Sequence, residues 1–433
     1  MKTVLIIAPD FTPSSYPPAL RARFFAQHLR EFGWDPIVLT TYPESYEWSV
    51  DPENEKLLDP SVDVVRTSAW SIKWTRKLGF GDVGMRTLWP HWRALSRICR
   101  QRRVDLILIS VPPNWSIALG RLAHMRFGIS YILDYNDPIL TEYYWKLPRA
   151  KRPPKYALVC TLYRFLEPFA LRRVDQLIGV DDSYMAGLFK NYQWLQGVKA
   201  TPVAFGVEPD DFQYVRKHPR LNPLFTAGDG LFHMGYVGRG GPDMVGALRA
   251  LFTAVRNERQ QLPDLYGRLR MHFVGTTYAA NAAGKHQVIP IAKECGVEDI
   301  VEESPGRVQH LDAIQILLDS DALLVLGSES PHYTASKLFP YILAAKPLLA
   351  ILHEESSGVR LLDETGAGQA ITFSATRPPL SVSADIQISL RNLLSAPAGE
   401  YPPTNWNNFE PYTARAVTSK LAEIFDRTVA RRA

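Results

Sequence analysis

Cysteine is almost missing from this 433-residue sequence. The three present, Cys99, Cys160 and Cys295, are far apart and odd in number. They make neither a disulfide framework nor a Cys-x-x-Cys metal site, and a reducing cytoplasm is the simple reading. No run of about 18 apolar residues occurs, so no transmembrane helix is predicted. The nearest stretch, YALVCTLYRFLEPFAL at 156–171, is broken by Arg164 and Glu167. The opening MKTVLIIAPDF has one lysine and a short apolar run that stops at Pro9-Asp10. It lacks a small-residue cleavage site and reads as a first strand rather than a leader. GxSxG, HExxH, a Walker loop and any Cys-His constellation are absent too, which leaves hydrolase and nucleoside-triphosphatase readings without support. His28 and His332 stand alone, without metal-ligand spacing. His28, mid-helix, reads as structural, and His332, in the loop before Lys337, is open to either reading.

What is present is a globular composition, 46% hydrophobic and 21% charged, in a chain too long for one ordinary core. Two domains or more are expected. The net charge of +5 is unevenly spread. Residues 70–103 carry nine Lys/Arg against the single Asp82, with four tryptophans interleaved. A second basic run lies between Lys146 and Arg173. One reading is a solvated face over buried aromatics. The other is a surface lying on anionic lipid, with Trp at the headgroup level and Lys/Arg against the phosphates. No nucleic-acid module is recognisable, so no nucleic-acid partner is expected.

Strand and helix patterns alternate along the chain. TVLIIAP (3–9), IVLTT (37–41), DLILIS (105–110), YILDYN (131–136) and QLIGVD (176–181) read as buried strands with helical spacing between them. PALRARFFAQHLREF (18–32) is the first such helix, ended by Gly33. Residues 207–230 break the rhythm with Pro, Gly and charge and read as a connection. A second series follows at 232–238, 270–276, 322–328, 347–353 and 369–374. Two doubly wound α/β domains are therefore predicted, and two such domains facing each other would put a cleft between the carboxyl ends of their strands. The boundaries fall at 1–206 and 207–405, followed by a segment 406–433 that turns helical near Pro411. Ala414, Val417, Leu421 and Ile424 share one face of it. That helix either packs on its own domain or crosses back to the first.

Chemistry concentrates at two strand-to-helix turns of the second series. In GYVGRGGPDMVGALRALFTAV (235–255) a strand ends in Gly238 and a helix begins near Asp243. Such a loop suits an anion, and Arg239 adds charge. Lys337, in SKLFPYILAAKPLLAI (336–351), supplies a second cation. Two cations at such turns are what a diphosphate needs. In the first series, Asp134, Asn136 and Asp137 end a strand. They read either as caps for the next element or as a base or sugar-hydroxyl acceptors.

These pieces, in this order, resemble GT-B glycosyltransferases, and specifically the family 4-like retaining enzymes that use nucleotide sugars. The resemblance covers nearly the whole chain. APDFTPSSYPPALRARFFAQHLREFGWDPIVLT resembles the family's first strand, acceptor-side loop, helix and second strand. SVPPNWSIALGRLAHMRFGISYILDYNDP is similar to a segment that ends in a DxRDPW form, and GYVGRGG to the loop that meets the donor phosphates. SPGRVQHLDAIQILLDSDALLVLG is similar to the segment lining the base, and SKLFPYILAAKPLLAI to the KxxEYxAxGKPVL signature.

The resemblance implies a GT-B fold of two facing Rossmann-like domains with a cleft between them and a C-terminal helix crossing back. It implies a nucleotide-sugar donor on the second domain and a glycan or lipid-linked acceptor on the first. Arg239 and Lys337 would neutralise the departing diphosphate, and stabilising that charge would be the main catalytic work. Gly238 and Gly240 would let the backbone approach it, with Leu338 beside Lys337. Gly306, Arg307 and Val308 would sit near the base. Asp134, with Asp137 as second choice, would contact the donor sugar or act as a base. On the acceptor side, Ser14, Ser15 and Tyr16 replace the family's Gly-Gly, and Arg21 and Arg23 follow as groups that could reach a phosphate. No cofactor or metal is expected, because Arg and Lys supply the cations. The expected setting is cell-surface polysaccharide or glycoconjugate synthesis in the cytoplasm, at the inner face of the membrane if the basic region touches lipid.

One departure stands out. Where the signature has a ribose-binding glutamate, this chain has Pro340, which has neither an acceptor side chain nor an N–H. Proline is tolerated in a first helical turn, and a start near Phe339 or Pro340 is predicted. What is lost is a charge-assisted contact worth roughly 1.5–3 kcal/mol. Glu329, Glu354 and Glu355 are the neighbouring replacements, unless each is a solvated surface carboxylate. The loss also keeps open a non-catalytic scaffold of the same fold. A nucleotide-sugar isomerase would need more acid and base groups than Asp134 and Asp137.

Overall fold

The computed structural model describes residues 1–75, 81–140, 156–180, 182–277, 285–329, 337–396 and 404–431. His332, Ser336 and Lys146 lie outside the described residues. The chain divides into two units, Met1–Glu208 with Tyr412–Ala433, and Pro209–Pro411.

The first unit is built on a seven-stranded parallel sheet. Its strands are β1 (Lys2–Ile7), β2 (Trp34–Thr41), β3 (Asp63–Thr67), β4 (Leu106–Val111), β5 (Ser130–Tyr135), β6 (Gln176–Gly179) and β7 (Lys199–Pro202). Their order is β3-β2-β1-β4-β5-β6-β7. A strand covered on both faces must be apolar throughout. Accordingly Val4, Leu5, Ile6 and Ile7 are all fully buried, Leu5 and Ile7 in one apolar cluster and Val4 and Ile6 in the other.

The first helix, Pro17–His28, opens on two prolines whose fixed φ suits a first turn. The pattern read as one helix to residue 32 is in fact this helix followed by a 3₁₀ turn, Leu29–Phe32, closed by Gly33 at φ 83°. The last helix, Ala414–Ala430, is capped by the Thr413 hydroxyl, which accepts from the Ala416 N–H. Its buried Val417, Leu421, Ile424 and Phe425 join the cluster around β1. Phe425 meets Trp34 edge-on at 5.2 Å, and Asp426 pairs with Lys2 at 2.7 Å. Val207 and Thr413 form a bridge, so the chain leaves this unit and re-enters it side by side.

The second unit holds six parallel strands: β8 (Phe232–Val237), β9 (Leu269–Val274), β10 (Val301–Ser304), β11 (Ala322–Leu326), β12 (Leu348–His353) and β13 (Gln369–Phe373). Their order is β10-β9-β8-β11-β12-β13. The helix Val245–Gln261 packs on this sheet through Leu248, Leu251, Phe252 and Val255. The connection expected at 207–230 contains a helix, Pro209–Lys217. It is held within its unit by Asp211, which bonds His310 at 2.8 Å. Strands β3, β7 and β10 are additions to the sequence reading. Among the described residues, no helix is long and apolar enough to cross a membrane.

Candidate active site

The order of the second sheet reverses between β8 and β11. From β8 the chain proceeds to β9 on one side, and it returns through β11 on the other. Such a reversal opens a crevice at the carboxyl ends of the two strands. Gly238–Gly241 follows β8, and Lys337 directly precedes the helix Leu338–Ala344, the next described element after β11. A Cβ built on Gly238 would lie 2.8 Å from Lys337 Nζ, so a side chain at 238 would displace the ammonium.

The two glycines provide room rather than donors. The Gly238 N–H is given to Val274 O at 2.8 Å and the Gly240 N–H to Thr276 O at 2.7 Å. That differs from the expectation of a backbone cradle of N–H groups. The helix that Lys337 precedes, Leu338–Ala344, is only seven residues long and contributes little dipole. Charge at this site therefore comes from side chains. The Lys337 ammonium is pushed down to about 7 by loss of solvent, and then by the positive charges of Arg239 and Arg307. Arg239 is held in a two-pronged pair with Asp243, Nη1–Oδ1 2.9 Å and Nη2–Oδ2 2.6 Å. That pair, helped by Ser328, brings the Asp243 carboxyl down to about 2.

Three residues that shape the site were not singled out in the sequence. The Tyr236 hydroxyl donates to Arg239 O at 2.7 Å and fixes the loop. The Tyr341 hydroxyl accepts from the Val237 N–H at 2.6 Å, which ties the signature helix to the end of β8. Asp243 is the third, as the partner of Arg239. In sequence the tyrosines look like ordinary core aromatics, and Asp243 like a helix-start acid.

Gly306, Arg307 and Val308 lie in the segment after β10, with Arg307 exposed. Leu338 is fully buried, so its side chain faces the interior of the unit. Pro340 sits inside the helix, which starts at Leu338 rather than at Phe339 or Pro340. Of the three candidate acids, Glu329 lies against the Gly-rich segment. Its N–H donates to Asp243 O at 2.8 Å, and a Cβ on Gly246 would come within 2.7 Å of its Oε1. Glu354 and Glu355 are exposed beyond β12. Ala345 ends the helix at φ 53°, a left-handed conformation that costs a non-glycine residue roughly 1–2 kcal/mol.

In the first unit the residues named from sequence have mostly internal partners. Arg21 and Asp134 are buried and bonded to each other, Nε–Oδ2 2.9 Å and Nη2–Oδ1 3.1 Å. Arg21 also donates to the carbonyls of Val203 and Ala204. Four of its donor contacts are thus committed inside the unit, and Asp134 serves there as its counter-ion rather than as a cleft-facing group. Arg23 is equally buried, donating to Gln27 Oε1 at 3.0 Å. Neither arginine is presented to a phosphate. Ser14 Oγ accepts from the Tyr16 N–H, Ser15 Oγ accepts from Asn54, and the Tyr16 ring stacks on Trp48 at 4.7 Å. This loop is therefore pinned by residues 48–54. Asp137 is exposed just beyond β5. Among the described residues no His/Cys/Asp/Glu group could hold a metal ion.

Residues 18–206 match the family model of the glycosyl transferase 4-like domain. None of the curated proteins matches the chain. Among solved structures, a glycosyltransferase from Rickettsia africae is similar at 13% identity and TM-score 0.58, over 99% of this chain and 98% of that one. HepE from Anabaena, solved with UDP, is similar at 13% identity and TM-score 0.52, over 100% and 99%. A UDP-forming α,α-trehalose-phosphate synthase from Burkholderia vietnamiensis is similar at 12% identity and TM-score 0.57, over all of both chains. The fold is thus GT-B, the two-sheet α/β architecture of these glycosyltransferases. The family match lies within the first half of the chain and is consistent with family 4-like enzymes.

Proposed function

We propose that this protein is a metal-independent hexosyltransferase, acting with retention of configuration. It would take a sugar from a nucleotide-sugar donor and transfer it to a glycan or lipid-linked acceptor in cell-surface polysaccharide or glycoconjugate synthesis. The observation that carries this reading is Lys337 against Gly238, with Arg239 and Arg307 beside it, at the reversal of the second sheet. Three cations around one crevice suit a diphosphate leaving group, and they supply the charge a metal would otherwise bring. Glu329 takes the ribose contact that Pro340 cannot make. UDP is the first nucleotide to test, since HepE was solved with it and the trehalose-phosphate synthase is UDP-forming.

The test is thermal unfolding with UDP, GDP, ADP and CMP, with and without EDTA. A ligand of the native state raises Tm by mass action, by about 2.7 kcal/mol of stability at 100 times its Kd. One nucleotide is expected to raise Tm equally well in EDTA. No shift from any nucleotide or nucleotide sugar would move the reading to a non-catalytic scaffold.

Contact with an anionic membrane is part of the proposal. Trp89, Arg93, Arg97 and Arg100 form one exposed stripe of the helix Val83–Gln101, beside exposed Trp70, Lys73 and Trp74. Leu158, Phe165 and Phe169 form an exposed apolar stripe on the helix Tyr156–Leu171, flanked by Arg164, Arg172 and Arg173. Apolar and basic groups side by side suit a headgroup layer. Co-sedimentation with anionic but not zwitterionic vesicles is expected at low salt. Absence of binding to both would remove the membrane from the proposal.

A further inference from the structure

The stretch after β8 gathers anions as well as cations. A Cβ built on Gly241 would lie 2.5 Å from Asp243 Oδ1 and 2.7 Å from Arg239 Nη1, and one on Gly246 would lie 2.7 Å from Glu329 Oε1. Gly241 has φ −171° and ψ 162°, an extended backbone open to any residue, so its missing side chain makes room for the ion pair rather than for the chain path. Gly238 makes room for Lys337 in the same way. The glycines of GYVGRGGPDMVG thus seat charged side chains, the cations Lys337 and Arg239 and the anions Asp243 and Glu329.

Asp243 is held from several sides. Its carboxylate accepts from both Nη atoms of Arg239, from the Ser328 hydroxyl and from its own backbone N–H. Its backbone carbonyl accepts from the Glu329 N–H at 2.8 Å. The carboxylate is therefore fixed between the loop after β8 and the residues that follow β11. Its end-on pair takes two of the five N–H groups of the guanidinium. Arg239 in turn acts on Lys337 through its charge. A carboxylate beside these cations weakens the hold on any phosphate. A site built only to bind a diphosphate tightly would leave it out.

Sugar transfer changes the charge the site must hold. In a nucleotide sugar each of the two phosphates carries a single negative charge. When the bond from the sugar C1 to the outer phosphate oxygen breaks, its electron pair stays on that oxygen, C1 bonds to the acceptor's hydroxyl oxygen, and the hydroxyl proton passes to solvent. The nucleoside diphosphate left behind gains a further charge, because a terminal phosphate ionises a second time near pH ~6. Side-chain cations cannot depart with that product, and they attract it more strongly than they attracted the donor. We propose that Asp243 is a positioning residue for product release, which competes with the nucleoside diphosphate for the Arg239 fork and repels the product more than the donor. The inference rests on the glycosyltransferase reading of this site. It adds what resets the site after each transfer.

The experiment compares UDP with UDP-glucose, or the same two forms of whichever base the unfolding screen returns, on the wild-type protein and on Asp243→Asn. Calorimetry gives the two Kd values, and stopped-flow displacement gives the rate at which the nucleoside diphosphate leaves. Asp243→Asn is expected to tighten the diphosphate about tenfold more than the nucleotide sugar, and to slow its departure by about the same factor. Asp243→Ser, which keeps a helix-start oxygen and removes the charge, is the second variant should Asp243→Asn fail to fold, with the same two shifts expected. A purely structural Asp243 would lower Tm and leave the ratio of the two Kd values unchanged. Equal tightening of both ligands, a ratio within twofold of wild type, or an unchanged departure rate in a folded variant overturns the inference and leaves the transferase reading intact. Failure of every nucleotide and nucleotide sugar to bind the wild-type protein is a separate result, and overturns both.

Discussion

Replacing Lys337 with methionine is expected to abolish nucleotide-sugar binding and to raise the melting temperature in the same protein. The ammonium is confined beside Gly238, with Arg239 and Arg307 as its charged neighbours and a titration point near 7. In the unfolded chain it titrates near its ordinary value of about 10.4. Between those two points the unfolded state binds more protons, so stability rises with pH across that window. Below about 7 the folded protein carries the buried charge at full cost, on the order of a few kcal/mol. Methionine keeps the length and removes the charge, and a gain of ~5 °C in Tm at pH 7 follows.

A bound diphosphate has the opposite effect on the same group, holding the proton well above pH 7. Binding above that pH is therefore coupled to proton uptake, and affinity falls by up to about tenfold per pH unit. Calorimetry in two buffers of different ionisation heat reads the uptake directly. Loss of the cation is expected to weaken donor binding and, as for other groups that stabilise departing charge, to lower kcat by roughly 100-fold or more. A Lys337→Met protein that binds nucleotide as wild type does, or that melts lower, would remove Lys337 from the site.

The second large effect belongs to Asp134. In Asp134→Ala the Arg21 guanidinium stays fully buried, keeps its contacts to Val203 O and Ala204 O, and loses its counter-ion. Breaking a buried ion pair from one side costs about 3–5 kcal/mol. Removing both ends, in Arg21→Met with Asp134→Leu, is expected to restore most of that loss, because well-packed apolar side chains replace buried pairs at little net cost. Urea unfolding of the three proteins decides the matter. A single variant less than about 1 kcal/mol below wild type would mean that Asp134 is free for chemistry after all.

How much of this was legible in the sequence follows from how local each signal is. β1, β4, β5, β11 and β12 announce themselves because a strand covered on both faces must be apolar along its length. β10 has the sequence VEES and β7 has KATP, and both lie at sheet edges, so neither carries that pattern. β3, the other edge strand of the first sheet, is half-buried throughout. The helix Pro209–Lys217 was hidden by its charge, since only Phe212 and Val215 among its apolar residues are buried. The Gly238 loop and Lys337 could be paired from sequence because each follows a readable strand. The Arg21–Asp134 pair could not, because 113 positions separate its members and nothing local marks either.

The bridge between Val207 and Thr413 has a consequence for the order of events in time. The second unit is an insert in the first, which becomes whole only when the helix Ala414–Ala430 covers Trp34 and the face of β1. On a translating ribosome, all of Pro209–Pro411 must emerge before that helix does. At about 5–20 residues per second the delay is roughly 10–40 s. Through that interval the apolar face that Leu421 and Phe425 will occupy stays open. The unit that comes second along the chain is thus the one that can finish folding first.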